Sequence, residues 1–234
     1  MIRFQSFELR TTDLAVATTF YVGVFGAGFW GKERVASVLP ERARSLGARP
    51  HWFGLLGVDE PLATAARIVA EGGEQLGPPR TGPDGSPCVI LRDPFGAMLA
   101  VGARRAASPE QAASWHVLHT ADHDAACAFY ARLFGWHALE AEPVPGMRGT
   151  LQRRFAWEKG GKPVGSVTNA AQSPAVHRQW LHFFAVGELG RALELVGREG
   201  GYALEPVGSP AGERFCAADD AQGAAFGLHQ TTLR

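Results

Sequence analysis

Two charged side chains near the start of the chain have the types and spacing to act together on a ligand. Glu8 and Arg10 lie in residues 3–10, which alternate between unlike side chains in the manner of a β-strand. Residues two apart on a strand project from the same face, so this carboxylate and guanidinium either pair with each other or orient an anion and handle a proton. We favour the ion pair, because either charge would be costly to bury alone.

The sequence carries no signature of covalent catalysis. It has no Gly-rich phosphate loop before a helix, no G-x-S-x-G, no paired-cysteine motif and no Ser-His-Asp order in a supporting context. Cys88, Cys127 and Cys216 are too few and too scattered for a disulfide framework or a zinc knuckle. We therefore predict reduced, partly buried thiols and no nucleophilic chemistry.

Composition excludes several classes of partner. The 234 residues are 46% hydrophobic, with a formal net charge of +0 and a pI near 7.1. A neutral chain offers no basic surface to nucleic acid or anionic lipid, and no apolar run approaches the length of a membrane span. We expect a cytoplasmic globular protein with no nucleic-acid or membrane partner.

The elements that must position these side chains occur twice. D-L-A-V-A-T-T-F-Y-V-G-V-F-G runs from Asp13 to Gly26, and D-H-D-A-A-C-A-F-Y-A-R-L-F-G runs from Asp122 to Gly135. A capping Asp, a central Phe-Tyr and a closing Phe-Gly predict a short helix in each copy. In the first copy the buried stripe at helical spacing is Ala17, Phe20, Tyr21 and Val24.

Strand, helix and hairpin patterns follow each copy in the same order. The first half continues with a strand at 51–58, a helix at 61–70 and a hairpin around D-P-F-G, and the second half with a strand at 180–186, a helix at 189–196 and a hairpin around D-A-Q-G. We predict domains at 1–105 and 114–234 joined by a linker at 106–113.

The first domain is the shorter of the two. Between its two helices it lacks 19 residues, because the Phe-Tyr pairs are offset by 109 positions (129 minus 20) and the Gly-Gly pairs by 128 (200 minus 72). Its second or third strand should therefore be missing or stunted. We predict one or two edge strands in residues 29–50, with a turn at Pro40.

These repeated motifs resemble the vicinal oxygen chelate superfamily of glyoxalases, bleomycin-resistance proteins and extradiol dioxygenases. The resemblance implies an α+β fold with tandem βαβββ units, four in two pairs, that form two curled mixed β-sheet half-barrels with the helices outside. It also implies a small-molecule cleft in each sheet. Because paired halves in one chain complete a cleft, a monomer and a homodimer are both compatible with it.

The resemblance also locates the family's metal ligands, which are His, His or Gln, and Glu. Counted from the capping Asp, from the terminal Val of the strand before the second helix and from the hairpin Asp of each half, the six positions fall on Ser6, Trp115, Phe53, Leu181, Ala100 and Gly227. None of these coordinates a metal as the family does, so we predict no metal and no cofactor. His116 and His182 each lie one residue away, and a bulge that shifted the register would restore a metal-dependent enzyme.

The implied clefts are lined by apolar and aromatic side chains with few polar groups: Ser6, Phe53, Leu55, Trp115, Val117, Leu181 and Phe183. His119 is the side chain there that can move a proton near neutral pH, or it makes a structural hydrogen bond. His229, after the last hairpin turn, is a less favoured candidate for the same role.

Three functions remain open after these observations. The leading hypothesis is a metal-free protein that binds a small, largely apolar organic molecule, as in the bleomycin-resistance branch. The alternative is a lyase, isomerase or hydroxylase-like enzyme that acts on a carbonyl or polyketide-type substrate through His119, Glu8 or Arg10. The third hypothesis is that side chains fill both clefts and that the protein acts through an outer surface.

Overall fold

The computed structural model describes residues 1–82, 85–106, 113–209 and 212–231. Its α+β architecture contains two mixed β-sheets, and strand pairing stays within each half of the chain. The predicted fold class is therefore confirmed. Among the described residues, no helix has the length and hydropathy that crossing a bilayer requires.

The first half forms the smaller sheet, in the order β2-β1-β3-β7-β6-β4 with β5 also on β6. Its β2 and β7 run parallel to β1 and β3, while β6 is antiparallel to β7. The elements are β1 (Phe4–Thr11), α1 (Leu14–Phe25), β2 (Arg34–Val38), α2 (Glu41–Ser45), β3 (His51–Val58), α3 (Pro61–Ala70), β4 (Glu74–Gln75), β5 (Arg80–Thr81), β6 (Pro87–Arg92) and β7 (Met98–Ala103).

The second half forms the larger sheet, in the order β13-β15-β16-β12-β8-β11-β10-β9 with β14 also on β15. The elements are β8 (Trp115–His119), α4 (His123–Phe134), β9 (His137–Pro143), β10 (Leu151–Ala156), β11 (Gly165–Thr168), a 3₁₀ turn (Ala170–Gln172), β12 (Gln179–Ala185), α5 (Leu189–Arg198), β13 (Tyr202–Ala203), β14 (Val207–Gly208), β15 (Arg214–Asp219) and β16 (Ala225–Gln230).

The shortening of the first half has a clear structural form. β2 runs parallel to β1 just as β11 runs parallel to β8, so β2 takes the place of β11. The β9–β10 hairpin has no counterpart among the described residues of the first half. The first half therefore lacks two strands, where the sequence predicted the loss of one. The possible second edge strand in residues 29–50 is instead helix α2, which begins directly after Pro40.

The helix that identified the repeat forms as its sequence predicts. The Asp13 carboxylate accepts hydrogen bonds from the N–H groups of Ala15 and Val16, and Gly26 ends the helix with a φ of 91°. The side chains buried beneath it are the four predicted ones: Ala17, Phe20, Tyr21 and Val24. Capping chemistry and apolar spacing are therefore enough to place α1.

Helix α3 has the predicted limits but a rotated apolar face. Helical spacing alone places Leu62, Ala65, Ala66 and Val69 on one stripe, yet Leu62 and Val69 are 52% and 41% exposed. The buried residues are Pro61, Ala65 and Ile68. Ile68 lies beneath Gly73, where an added Cβ would come within 2.7 Å of its Cγ2, so this glycine makes room for the larger side chain.

The described residues group into two compact bodies that draw on both halves of the chain. Body 1 comprises Met1–Gln5, Phe53–Glu110 and His116–Trp180, and body 2 comprises Ser6–Trp52, Gln111–Trp115 and Leu181–Arg234. Each body thus combines a strand–helix region of the first half with one of the second. The two-domain division remains our proposal, since residues 107–112 of the expected linker lie outside the described residues.

Each body contains the same buried chain of hydrogen bonds. In body 2, Trp52 Nε1 donates to the Tyr21 hydroxyl at 2.7 Å, which donates to Asp220 Oδ2 at 3.2 Å. In body 1, Trp180 Nε1 donates to the Tyr130 hydroxyl at 2.9 Å, which donates to Asp93 Oδ2 at 2.6 Å. The tyrosine of each Phe-Tyr motif and the aspartate of each D-x-x-G motif therefore form hydrogen bonds in the buried core.

Candidate functional site

The predicted ion pair on β1 forms. Arg10 Nη2 lies 2.9 Å from Glu8 Oε1, with the two side chains 10% and 21% exposed. Ser37, which the β1–β2 register sets beside Arg10, donates its hydroxyl to the same Glu8 oxygen at 2.5 Å. A guanidinium and a hydroxyl thus converge on one carboxylate oxygen in body 2.

His51 is a neighbour of this pair that sequence reasoning missed. Burial lowers its pKa, while the hydrogen bond to the Arg49 carbonyl (2.7 Å) raises it, and the charges of Arg10 and Glu8 act in opposite directions. Donation from Nδ1 to that carbonyl leaves Nε2 as the acceptor in the neutral ring. Neither Ser37 nor His51 shows a sequence signal, because the register between separate strands decides which side chains meet.

Body 1 carries an apolar wall on strands β3, β6 and β7. Phe53, Cys88 and Ala100 are its buried part, and three half-buried aliphatic side chains, Leu55, Ile90 and Met98, pack against them. Leu55 and Ile90 both pair with Ala100 across the strands. The position where the family places a carboxylate therefore lies between two aliphatic side chains, as expected for an apolar surface.

The third candidate position of the first half is Ser6, on β1. It is buried and belongs to body 2. Its hydroxyl supplies neither imidazole nor carboxylate at the position of the family's first ligand.

The surroundings of His119 shift its pKa away from the near-neutral range that the residue type suggests. Its Nδ1 lies 3.1 Å from the Thr168 hydroxyl, which the parallel register of β8 and β11 sets beside it. Burial lowers the pKa of His119 to about 4, so the ring is neutral near pH 7. That His119 moves a proton near neutral pH stays a prediction, and the alternative role, a structural hydrogen bond, has its partner in the Thr168 hydroxyl.

The face around His119 is polar on the side of β10. Val117, half-buried, pairs with Ser166, and Gln152 pairs with Thr168. Glu142 accepts from Gln152 Nε2 at 3.3 Å and lies 2.9 Å from Arg154 Nε. Body 1 therefore surrounds a neutral imidazole with hydroxyl, amide and ion-paired groups.

In body 2 an aromatic ring fills the place of the family's last ligand. Phe183 on β12 pairs with Gly227 on β16, and an added Cβ at Gly227 would lie 2.2 Å from Cδ1 of Phe183. A Glu there would displace the ring. Leu181, two residues earlier, is buried, and Trp115 packs against Phe215 with ring centroids 5.6 Å apart.

The two histidines next to ligand positions pack in aromatic surroundings. In body 1 the His116 ring lies 5.0 Å from Phe4 and 5.4 Å from Trp157, and the pairing of β8 with β11 is regular through His116. In body 2 the His182 ring lies 4.6 Å from Phe7. The register shift that a metal site would need is not observed in the described β8–β11 ladder.

These side chains do not fit the family's metal. The ring over Gly227 occupies the room of the carboxylate ligand, and within the described ranges no three His, Cys, Asp or Glu side chains are arranged to hold an ion.

Comparison with known proteins finds similar sequences over most of the chain and a family model that matches its second half. Residues 113–228 match the model of the Glyoxalase/Bleomycin resistance protein/Dioxygenase superfamily. The chain is 27% identical to CFP32, provisionally named a glyoxylase, of Mycobacterium tuberculosis and Mycobacterium bovis. This alignment of 247 residues covers 94% of the chain and 92% of the relative.

Solved structures share the fold at low sequence identity. The Mn(II)-bound glyoxalase from Novosphingobium aromaticivorans matches with a TM-score of 0.64 at 13% identity, covering 98% of this chain and 83% of that one. The 2,3-dioxygenase LapB from Pseudomonas sp. KL28 matches with a TM-score of 0.62 at 11% identity, covering 98% and 92%. The second half of the chain thus resembles the glyoxalase/bleomycin resistance protein/dioxygenase superfamily, the vicinal oxygen chelate group that the repeated motifs also resemble.

Proposed function

We propose that this protein is a metal-free member of the superfamily that binds a small, largely apolar organic molecule in a β-sheet cleft, as a monomer or homodimer in the cytoplasm. One observation carries the proposal: five of the six positions of the family ligands hold apolar or aromatic residues and the sixth holds Ser6, with the Phe183 ring packed over Gly227. The repeated scaffold is retained, with a shortened first half, while its ligand positions offer neither imidazole nor carboxylate.

The apolar wall of body 1 is the binding surface that we favour. Leu55, Ile90 and Met98 are half-buried, so part of their apolar surface meets solvent in the free protein. Covering about 100 Å² of apolar surface contributes roughly 2.5 kcal/mol, so a small ligand that covers the exposed parts of the three side chains gains part of its affinity from this wall.

Two measurements test this function. Elemental analysis of protein purified without a metal-affinity tag should find less than stoichiometric zinc, nickel, manganese or iron, and stoichiometric metal would refute the metal-free state. A library of small apolar compounds screened by thermal shift should yield ligands whose affinity falls about tenfold in Met98→Ala. The matched control is Leu46→Ala, a 79% exposed aliphatic side chain that is not part of the wall, which should leave affinity unchanged.

A second candidate is favoured by the convergence of Arg10 and Ser37 on the Glu8 carboxylate. A lyase, isomerase or hydroxylase-like enzyme on a carbonyl or polyketide-type substrate would use Glu8 to move a proton and Arg10 to orient an anionic oxygen. Glu8→Gln keeps the shape and removes the base. Loss of turnover with retained ligand affinity in this variant would favour the enzyme, whereas a change in affinity alone favours the binder.

A further inference from the structure

Three polar side chains of body 2 that are distant in sequence converge at the end of β16. Nδ1 of His229 lies 3.0 Å from Oγ of Ser114, and Nε2 of His229 lies 3.6 Å from Oε1 of Glu213. Phe215, the antiparallel partner of His229, stacks on the imidazole at 4.2 Å and 12°. The ring is thus held between a hydroxyl and a carboxylate.

The Glu213 carboxylate lies on the Nε2 side of the imidazole. An ionised carboxylate accepts hydrogen bonds and donates none, so Glu213, at 3.6 Å, favours the tautomer of His229 protonated on Nε2. In that tautomer Nδ1 is an acceptor for the Ser114 hydroxyl, which has a second acceptor, the Phe183 carbonyl, at 3.2 Å. Burial lowers the pKa of His229 and Glu213 opposes this, so the ring is an unprotonated base at neutral pH.

The serine is partly exposed while the base is covered. His229 is buried, whereas Ser114 is half-buried and its backbone N–H is fixed by the Phe183 carbonyl at 2.8 Å. The half-buried rings of Trp115 and Phe215 leave aromatic surface next to it. An ester whose alcohol part is aromatic can pack on these rings and place its carbonyl carbon at Ser114 Oγ.

We propose that Ser114, His229 and Glu213 form an acyl-transfer site that hydrolyses small esters, an activity separate from the proposed binding function. Ser114 is the nucleophile, His229 is the general base, and Glu213 is a positioning residue. A hydroxyl within 3.2 Å of a base that a third group orients is the arrangement that activates serine in unrelated folds.

The reaction balances with water as the only co-reactant. Ser114 Oγ forms a bond to the carbonyl carbon as its proton moves to His229 Nδ1, and the bond from that carbon to the alcohol oxygen breaks. The alcohol leaves with the proton from Nδ1. Water then adds to the acyl-serine, His229 takes its proton, the carbon–Oγ bond breaks with return of the proton to Ser114, and a carboxylic acid leaves.

The test uses the full-length protein with p-nitrophenyl acetate and a fluorophosphonate probe. We expect a burst of about one p-nitrophenolate per chain, as acyl-enzyme accumulation produces, and a fluorophosphonate adduct on the tryptic peptide that contains Ser114. Ser114→Ala should abolish both, and His229→Gln should slow labelling about 100-fold or more. Glu213→Gln should slow the burst and move its pH midpoint downward, because Glu213 raises the pKa of His229.

The matched control is Ser173→Ala, an exposed serine on another element, which should keep the full burst. Far-UV circular dichroism confirms that each variant is folded. An adduct on any other residue, no adduct in the unmodified protein, or a burst that survives in Ser114→Ala would overturn the proposal. The readout in the unmodified protein does not depend on any variant folding.

Discussion

The Tyr21 hydroxyl donates a hydrogen bond to Asp220 across 199 residues of sequence. Tyr21 belongs to the Phe-Tyr motif of the first half, and Asp220 begins the hairpin turn of the second. Tyr130 and Asp93 repeat the relationship with the halves exchanged. Each half of the chain therefore supplies the tyrosine for one body and the aspartate for the other, which makes the two halves depend on each other for a satisfied core.

Removal of the Tyr21 hydroxyl should destabilise the fold. In Tyr21→Phe the Trp52 indole loses its acceptor and the buried Asp220 carboxylate loses a donor, which together cost about 1–3 kcal/mol. Urea denaturation followed by tryptophan fluorescence measures the difference. The control Tyr202→Phe removes the hydroxyl of a 66% exposed tyrosine and should change the unfolding free energy by less than about 0.5 kcal/mol.

Asp93 should make stability depend on pH in the acid range. Burial raises its pKa from 3.8 to about 6, against hydrogen bonds from Tyr130 and the turn that lower it. Because the pKa of Asp93 is higher in the folded state than in the unfolded state, its stabilisation of the fold is complete below pH 3.8. Roughly 3 kcal/mol of this stabilisation is lost as pH rises through 6.

The Asp93 effect is separated from other titrations by a difference measurement. We expect the unfolding free energy of the unmodified protein relative to Asp93→Asn to fall between pH 4 and pH 7, measured by urea titration at each pH. A difference that stays flat across this range would show that the carboxyl titrates normally.

His119 should remain neutral well below its usual titration range. With a pKa of about 4, its imidazole takes up a proton in the folded state only below about pH 5. Two-dimensional ¹⁵N NMR of the ring nitrogens reports the protonation state directly, and His119→Gln assigns the signal. A midpoint near 6.5 would contradict the burial of this side chain. Since the unfolded chain protonates first, His119 should also destabilise the fold as pH falls from 6.5 to 4.

The sequence predicts local features well and the meeting of distant side chains poorly. Spacing within one short segment is enough to predict the limits of α1, its cap and its four buried residues. The Glu8–Arg10 pair likewise follows from two residues that are two apart on one strand. Ser37 reaches that pair through the β1–β2 register, and His51, on β3, lies close enough for both charges to act on its pKa. The buried face of α3 includes Ile68, for which Gly73, outside the helix, leaves room.

Phe183 and Gly227 should show strong energetic coupling. Gly227→Ala brings its methyl carbon against the Phe183 ring at 2.2 Å and should destabilise the fold by about 1–3 kcal/mol, because the ring sits in a packed sheet face and must move. Phe183→Ala alone leaves a cavity and should cost about 3–5 kcal/mol. In the double variant the added methyl group no longer clashes, so its cost should be less than the sum of the two, with a coupling of about 1 kcal/mol or more. Urea denaturation of all four proteins closes the cycle, and strict additivity would mean that the ring does not fill the place of the missing carboxylate.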